Sequence, residues 1–289
     1  MGSVVAASAS RAHQVYALYN TNVPSVGVPI QIDLGNIDKI APVFNMIKPD
    51  VIVHSAAITD VDLCESQREL ALTINYKVTD AIAQVASHLK AFVVYISTDY
   101  VFDGTKGRYN ESDKPNPVNF YGATKLHGEE AIENRLSDFL IARTSVLYGS
   151  THASGKMNFV LWLLERLSKR QPTSVLVDQY VSPTLNSNLA EMILEAVDLR
   201  VKGILHLAGA NRVSRYGLAL SICSEWDLDS SLLIRASIHD MDWAAKRPED
   251  SSLDITRARN ILTNGPVSIS DSLRLLKRQM EAATWTRSR

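Results

Sequence analysis

Cysteine is scarce in this chain: Cys64 and Cys223 are the only two among 289 residues, far apart and with no C-x-x-C pair. That usage excludes a disulfide framework and a zinc ribbon, and it is the habit of proteins kept in a reducing cytosol, so a cytoplasmic protein is expected. The histidines at 13, 54, 88, 127, 152, 206 and 239 fall at no metal-ligand spacing, so no metal site is expected. No apolar run reaches the roughly 18–20 residues that span a bilayer. The opening Met1–Arg11 has small residues but no basic stretch before its apolar part, and it reads poorly as a signal peptide. Alanine at position 6 breaks the myristoylation pattern. An excess of one charge is also lacking: 30 Lys and Arg face 31 Asp and Glu, a net charge of −1. Neither nucleic acid nor an anionic membrane surface is an expected partner.

Short β-branched runs alternate with longer amphipathic segments. Strands are expected at His13–Tyr19, Val51–His54, Phe92–Ile96, Phe139–Arg143, Ser174–Val177 and Gly203–Leu207. Several are near-continuous apolar runs, as suits strands buried on both faces. Helices are expected at Ile37–Ile47, Ser66–Leu89, Gly122–Asn134, Phe159–Lys169 and Ser187–Asp198, with Thr59 and Asp62 forming a cap-like start near the Asp60–Cys64 turn. This alternation predicts an α/β fold with a doubly wound parallel sheet. Residues 150–158 read as a small, polar loop, and from about Ala210 the chain reads as a smaller, mostly helical lobe. Ligands of such sheets bind beyond the carboxyl ends of the strands, where Ala56, Ala57 and Thr98 fall.

The densest chemistry lies in Ile96–Gly104 and Tyr121–Lys125. Tyr121 and Lys125 are one helical turn apart and share a face. An ammonium beside a phenol favours the phenolate, so the tyrosine is expected to titrate lower and to exchange protons near neutrality. Thr98, at the end of an apolar strand, supplies a hydroxyl that could hold a carbonyl oxygen. Together these residues are equipment for carbonyl reduction.

Six blocks in order, His54–Glu65, Ser97–Gly104, Pro117–Glu129, Ala142–Gly149, Val181–Thr184 and Lys246–Asp254, carry a resemblance over nearly the whole chain. The chain resembles the extended short-chain dehydrogenase/reductases and, within them, the dTDP-4-dehydrorhamnose reductase family. The methionine adenosyltransferase regulatory β subunit shares much of this pattern. The resemblance implies a Rossmann-type fold, with 1–149 as a dinucleotide-binding domain completed by about 174–208, and 150–173 with 209–289 as a smaller substrate lobe. It implies NADPH as cofactor, with NADH the alternative, and reduction of the 4-keto group of a nucleotide-linked 6-deoxy sugar. The alternative is a non-catalytic subunit that binds NADP and partners a methionine adenosyltransferase. A homodimer is compatible with both.

By the same resemblance Tyr121 is the general acid, Lys125 lowers its pKa and binds the nicotinamide ribose, and Thr98 bonds the carbonyl oxygen. Asp33 and Leu34 fall beside adenine, and Ala56, Ala57 and Thr59 beside pyrophosphate and ribose. Trp243 and Arg247 are candidates for the nucleotide-sugar, since an arginine fork matches phosphate oxygens. Asn75 and Arg143 match positions that are structural or close to the cofactor.

Two features depart from the pattern. The superfamily opens with a strand and a G-x-x-G-x-x-G turn, whereas Met1-Gly2-Ser3-Val4-Val5 resembles only the last glycine and the helix behind it. The expectation is that about ten residues, the first strand and two glycines, are missing, through a late start codon or a truncation. After the Val15–Tyr19 strand, Asn20-Thr21-Asn22 offers neither an acid for a ribose 2′-hydroxyl nor an arginine for a 2′-phosphate.

Overall fold

The computed structural model describes residues 1–150 and 157–287; most of the loop expected at 150–158 lies outside them. In chain order the helices are α1 (Gly2–Ala9), α2 (Ile40–Ile47), α3 (Val61–Ser66), α4 (Arg68–Leu72), α5 (Val78–Leu89), α6 (Phe120–Arg135), α7 (Phe159–Ser168), α8 (Asn186–Asp198), α9 (Arg215–Trp226), α10 (Thr256–Ile261) and α11 (Ile269–Arg287). The strands begin with β1 (Tyr16–Tyr19), β2 (Val28–Gln31), β3 (Val51–His54), β4 (Phe92–Thr98), β5 (Phe139–Thr144) and β6 (Leu147–Tyr148). They continue with β7 (Thr173–Leu176), β8 (Tyr180–Val181), β9 (Thr184–Leu185), β10 (Gly203–His206), β11 (Val213–Ser214) and β12 (Leu233–Ala236).

The central sheet runs β10-β5-β4-β3 and every pairing in it is parallel. Strand β4 is buried along its whole length, so its alternating side chains feed two cores. Phe92, Val94 and Ile96 pack with Val5 of α1 and with Leu189, Met192 and Ile193 of α8. Val93 and Tyr95 face the other way, onto Phe44, Ile82, Val85 and Ile132 of α2, α5 and α6. Helices on both faces of a parallel sheet make this the doubly wound arrangement expected. A third core gathers Leu163, Leu218, Ile222, Leu273 and Leu276 with Tyr148 and Leu185.

Three local expectations need correction. Strand β2 is absent from the sequence reading because Pro29 interrupts it and three of its four residues are exposed; it pairs in parallel with β1 as a separate ribbon, where a proline is tolerated. The run Ser66–Leu89 is not one helix: Gln67 leaves helical geometry, and a π-helical turn, Thr73–Lys77, precedes α5. Strand β7, expected to complete the nucleotide-binding half, pairs with β12 in a separate two-stranded sheet instead.

One buried ion pair fastens α6 to the sheet. Glu129 and Arg143 are only 1% and 2% exposed, and the guanidinium meets the carboxylate at 2.6 Å through Nη2 and 3.0 Å through Nε. Ser97 at the end of β4 donates to the same carboxylate. Breaking a buried pair from one side strands the other charge. Glu129→Gln should therefore lower the free energy of unfolding by about 3–5 kcal/mol in urea titrations. An unchanged urea midpoint would show that the pair does not hold the helix.

Candidate active site

Helix α6 begins where polar groups from remote segments fix it. Asn119 caps it, accepting from the Gly122 amide at 2.8 Å and donating to the Lys246 carbonyl at 2.9 Å. The Phe120 amide donates to Glu65 at 2.7 Å. A Cβ at position 122 would lie 2.1 Å from the Tyr100 carbonyl, so only glycine lets the helix come this close to the turn after β4. That approach sets Tyr121 beside Thr98.

Tyr121 is 9% exposed and stands edge-on to Tyr100 with ring centroids 6.0 Å apart. Burial raises its pKa well above the ordinary tyrosine value; a hydrogen bond with Thr98 opposes this, and Asp99 adds to it. The lowering expected from Lys125 is therefore not found. The lysine, 2% exposed, donates to the Ile96 carbonyl at 2.8 Å and lies 3.9 Å over the Tyr95 ring. Burial pushes the Lys125 amine down to about 7, against the pull of Glu129. Thr98, Tyr121 and Lys125 are nonetheless brought together at the carboxyl end of β4.

Thr98 donates to Asp99 at 3.1 Å and accepts from the Tyr100 amide. Asp99 also receives the hydroxyls of Ser145 (2.7 Å) and Ser251 (2.6 Å), while burial raises its pKa despite these bonds. Asp99 thus joins the end of β5 to the Lys246–Asp254 segment at the site itself. Sequence reasoning missed this junction: the only local signal was Asp99 following Thr98, and its partners are distant in sequence.

The residues matched to a cofactor line the carboxyl ends of β2 and β3. Asp33 is exposed and accepts from the Gly35 amide at 2.9 Å; Leu34 is half-buried against the core. Ala56 and Ala57 are half-buried and Thr59 is exposed. The cap of α3 is Asp60, accepting from Leu63, rather than Thr59. Asn75, presented by the π turn, grips Ile58 through both amide (2.8 Å) and carbonyl (3.0 Å) and reaches Thr124 of α6 at 3.0 Å. It therefore ties this loop to the helix of Tyr121 and Lys125. A Cβ on Gly2 would lie 2.6 Å from the Ser55 hydroxyl, so the first turn of α1 abuts the same loop. A helix N-terminus beside small side chains suits a dinucleotide's phosphates.

Trp243 and Arg247 sit together, the guanidinium 4.8 Å over the indole. Arg247 is already engaged: it binds Asp62 at 2.7 and 3.1 Å and the Ala245 carbonyl. That guanidinium holds the Asp62 carboxyl below its ordinary range. Among the described residues no cluster of His, Cys, Asp and Glu could hold a metal, and no helix is long and apolar enough to cross a membrane.

The RmlD substrate binding domain family matches residues 1–280. The probable low-salt glycan biosynthesis reductase Agl14 of Haloferax volcanii is 31% identical over 281 residues, 96% of this chain and 94% of that protein. The dTDP-4-dehydrorhamnose reductase of Salmonella typhimurium is 37% identical over 67% of this chain and 65% of its own length. Methionine adenosyltransferase 2 subunit beta of Xenopus tropicalis is 32% identical over 74% of this chain, spanning 65% of that subunit. Among solved structures, a dTDP-4-dehydrorhamnose reductase from Bacillus anthracis in complex with NADP superposes with a TM-score of 0.81 at 30% identity, covering 90% of this chain and 92% of that one.

The Lys125 shift carries a pH signature. The unfolded chain keeps this proton to its ordinary 10.5, whereas the fold releases it near 7. Between those values the unfolded state binds more protons, so Lys125 adds stability as pH rises through the window. Urea titrations of the ligand-free protein should show Lys125→Met losing ground to wild type from pH 7 to 10.5, its relative stability being greatest below 7. A difference independent of pH would mean that the amine is not shifted.

Proposed function

The chain belongs to the RmlD substrate binding domain family, and from that premise we propose that it is an NAD(P)H-dependent reductase of the 4-keto group of a nucleotide-linked 6-deoxy sugar. The favoured substrate is dTDP-4-dehydrorhamnose, giving dTDP-rhamnose. The observation that carries this reading is the meeting of Thr98, Tyr121 and Lys125 in one enclosed patch beside the loop of Ala56 and Ala57.

NADPH suits the small, half-buried loop that follows β3 and abuts α1, with Lys125 and Tyr121 beside the ribose and NADH as the alternative cofactor. When bound, the cofactor supplies the hydride that adds to the carbonyl carbon. The protein's part is the proton. Burial keeps the Tyr121 phenol protonated at physiological pH, so it meets the substrate as a donor. Thr98 lies beside that phenol, and its own proton goes to Asp99. A carbonyl oxygen arriving beside these hydroxyls takes the Tyr121 proton as charge develops on it. Tyr100 and Phe120, packed around Tyr121 with Ile58 and Val61, exclude water from that transfer.

A second reading, a non-catalytic cofactor-binding subunit, draws on the likeness to the methionine adenosyltransferase β subunit. It predicts co-purification with a catalytic synthetase and no turnover of a keto sugar.

Turnover is measured by NADPH absorbance with dTDP-4-dehydrorhamnose. Tyr121→Phe should lower kcat by about 10²–10⁴-fold with NADPH affinity nearly unchanged. Lys125→Ala should damage both turnover and NADPH binding. Equal turnover by Tyr121→Phe and wild type would remove Tyr121 from the mechanism, and a folded wild type that oxidises no NADPH would sink the substrate assignment.

A further inference from the structure

Helix α9 presents an arginine of a different kind to the same site. Arg215 opens α9 directly behind Ser214, which caps the helix by accepting from the Gly217 amide at 3.0 Å. Its backbone amide donates to the Gln179 carbonyl at 3.0 Å, and its Nε donates to the Gln179 side chain at 3.1 Å. The guanidinium lies 5.2 Å from the Phe159 ring centroid and near the Tyr100 hydroxyl, which favours its charged form. All of these partners are neutral.

The other arginines near the site are neutralised. Arg143 is paired with Glu129, Arg247 with Asp62 and Arg212 with Asp250. No carboxylate among the described residues comes within ion-pair distance of Arg215. Asp99 acts on it only through its longer-range field, and that carboxylate already receives three hydroxyls. A half-buried guanidinium held by neutral groups retains its charge and has fork donors to spare. An anion with two adjacent oxygens answers that geometry better than any group already present.

The position of this cation narrows the ligand. Tyr100 lies near Arg215 and stands edge-on to Tyr121, so it is a common neighbour of the cation and the candidate proton donor. Gln179, nearly fully buried, fixes the guanidinium from behind.

We propose that Arg215, held by Gln179 beside Tyr100, binds the diphosphate of the nucleotide-sugar, in place of Arg247. This assignment rests on the nucleotide-sugar reading above. In that arrangement the diphosphate docks on the smaller lobe, the sugar extends toward Tyr121, and Arg247 keeps its tie to Asp62.

Calorimetric titration of the whole protein with dTDP tests the assignment, with NADPH affinity and thermal midpoint as measures of intact folding. Arg215→Gln should weaken dTDP by about 10–100-fold, the worth of one or more bonds to a charged group, while NADPH binds as before. Arg215→Lys, which keeps the charge without the fork, should fall between that variant and wild type. With the keto sugar, the Arg215 variants should raise KM more than they lower kcat. Wild-type affinity for dTDP in a folded Arg215→Gln protein would overturn the assignment, as would loss of dTDP binding in Arg247→Gln but not in Arg215→Gln. A folded wild type that binds NADPH but no dTDP would overturn the nucleotide-sugar reading itself, and this proposal with it.

Discussion

One stripe of α6 governs both the fold and the site. Tyr121, Lys125 and Glu129 follow one another at single-turn spacing, and all three are buried. At the far end Glu129 holds Arg143 of β5 and the Ser97 hydroxyl of β4, which anchors the helix to two central strands. The same carboxylate is what favours the charged form of Lys125 against its burial. Attraction inside a protein only partly offsets the cost of removing two charges from water, so the pair's chief contribution is position rather than net stability. It sets the rotation of α6, and with it the direction in which Tyr121 and Lys125 point.

The remaining polar contacts join distant segments of the chain around that helix. Asp99 collects hydroxyls from Thr98, Ser145 and Ser251, Asn119 reaches Lys246, and Asp62 holds Arg247. Through Ser251, Lys246 and Arg247 these contacts tie the turn after β4, the start of α6 and α3 to the segment at 246–251. A substrate lying beside that helix would thus meet a wall already held in place, with little left to order on binding. The grip of Asn75 on Ile58 and Thr124 extends this preorganisation to the loop after β3.

The parts of the fold legible in the chain were the apolar runs of the central sheet. Val51–His54 and the stretch from Phe92 read as strands because strands covered on both faces require near-continuous apolar residues. Strand β2 has the opposite character, exposed and carrying Pro29, and left no such signal. Strand β7 was readable as a strand but not as a partner of β12, since an apolar run does not encode what pairs with it. The break at Gln67 and the π turn that follows interrupt a periodicity that otherwise reads as one long helix.

Sequence alone determined the chemistry available: a hydroxyl at a strand end, a tyrosine and a lysine one turn apart, and the glycine that lets their helix approach. These are local properties, decided by spacing along the backbone. Tertiary structure alone decided the state of those groups. The phenol titrates high and the amine low because burial removes water from both, and the depth of burial depends on side chains far away in the chain. Arginines at 143, 215 and 247 are equivalent as letters; the fold gives the first and third a carboxylate and surrounds the second with neutral groups. Charge pairing is set by distance in space, which spacing along the chain does not specify.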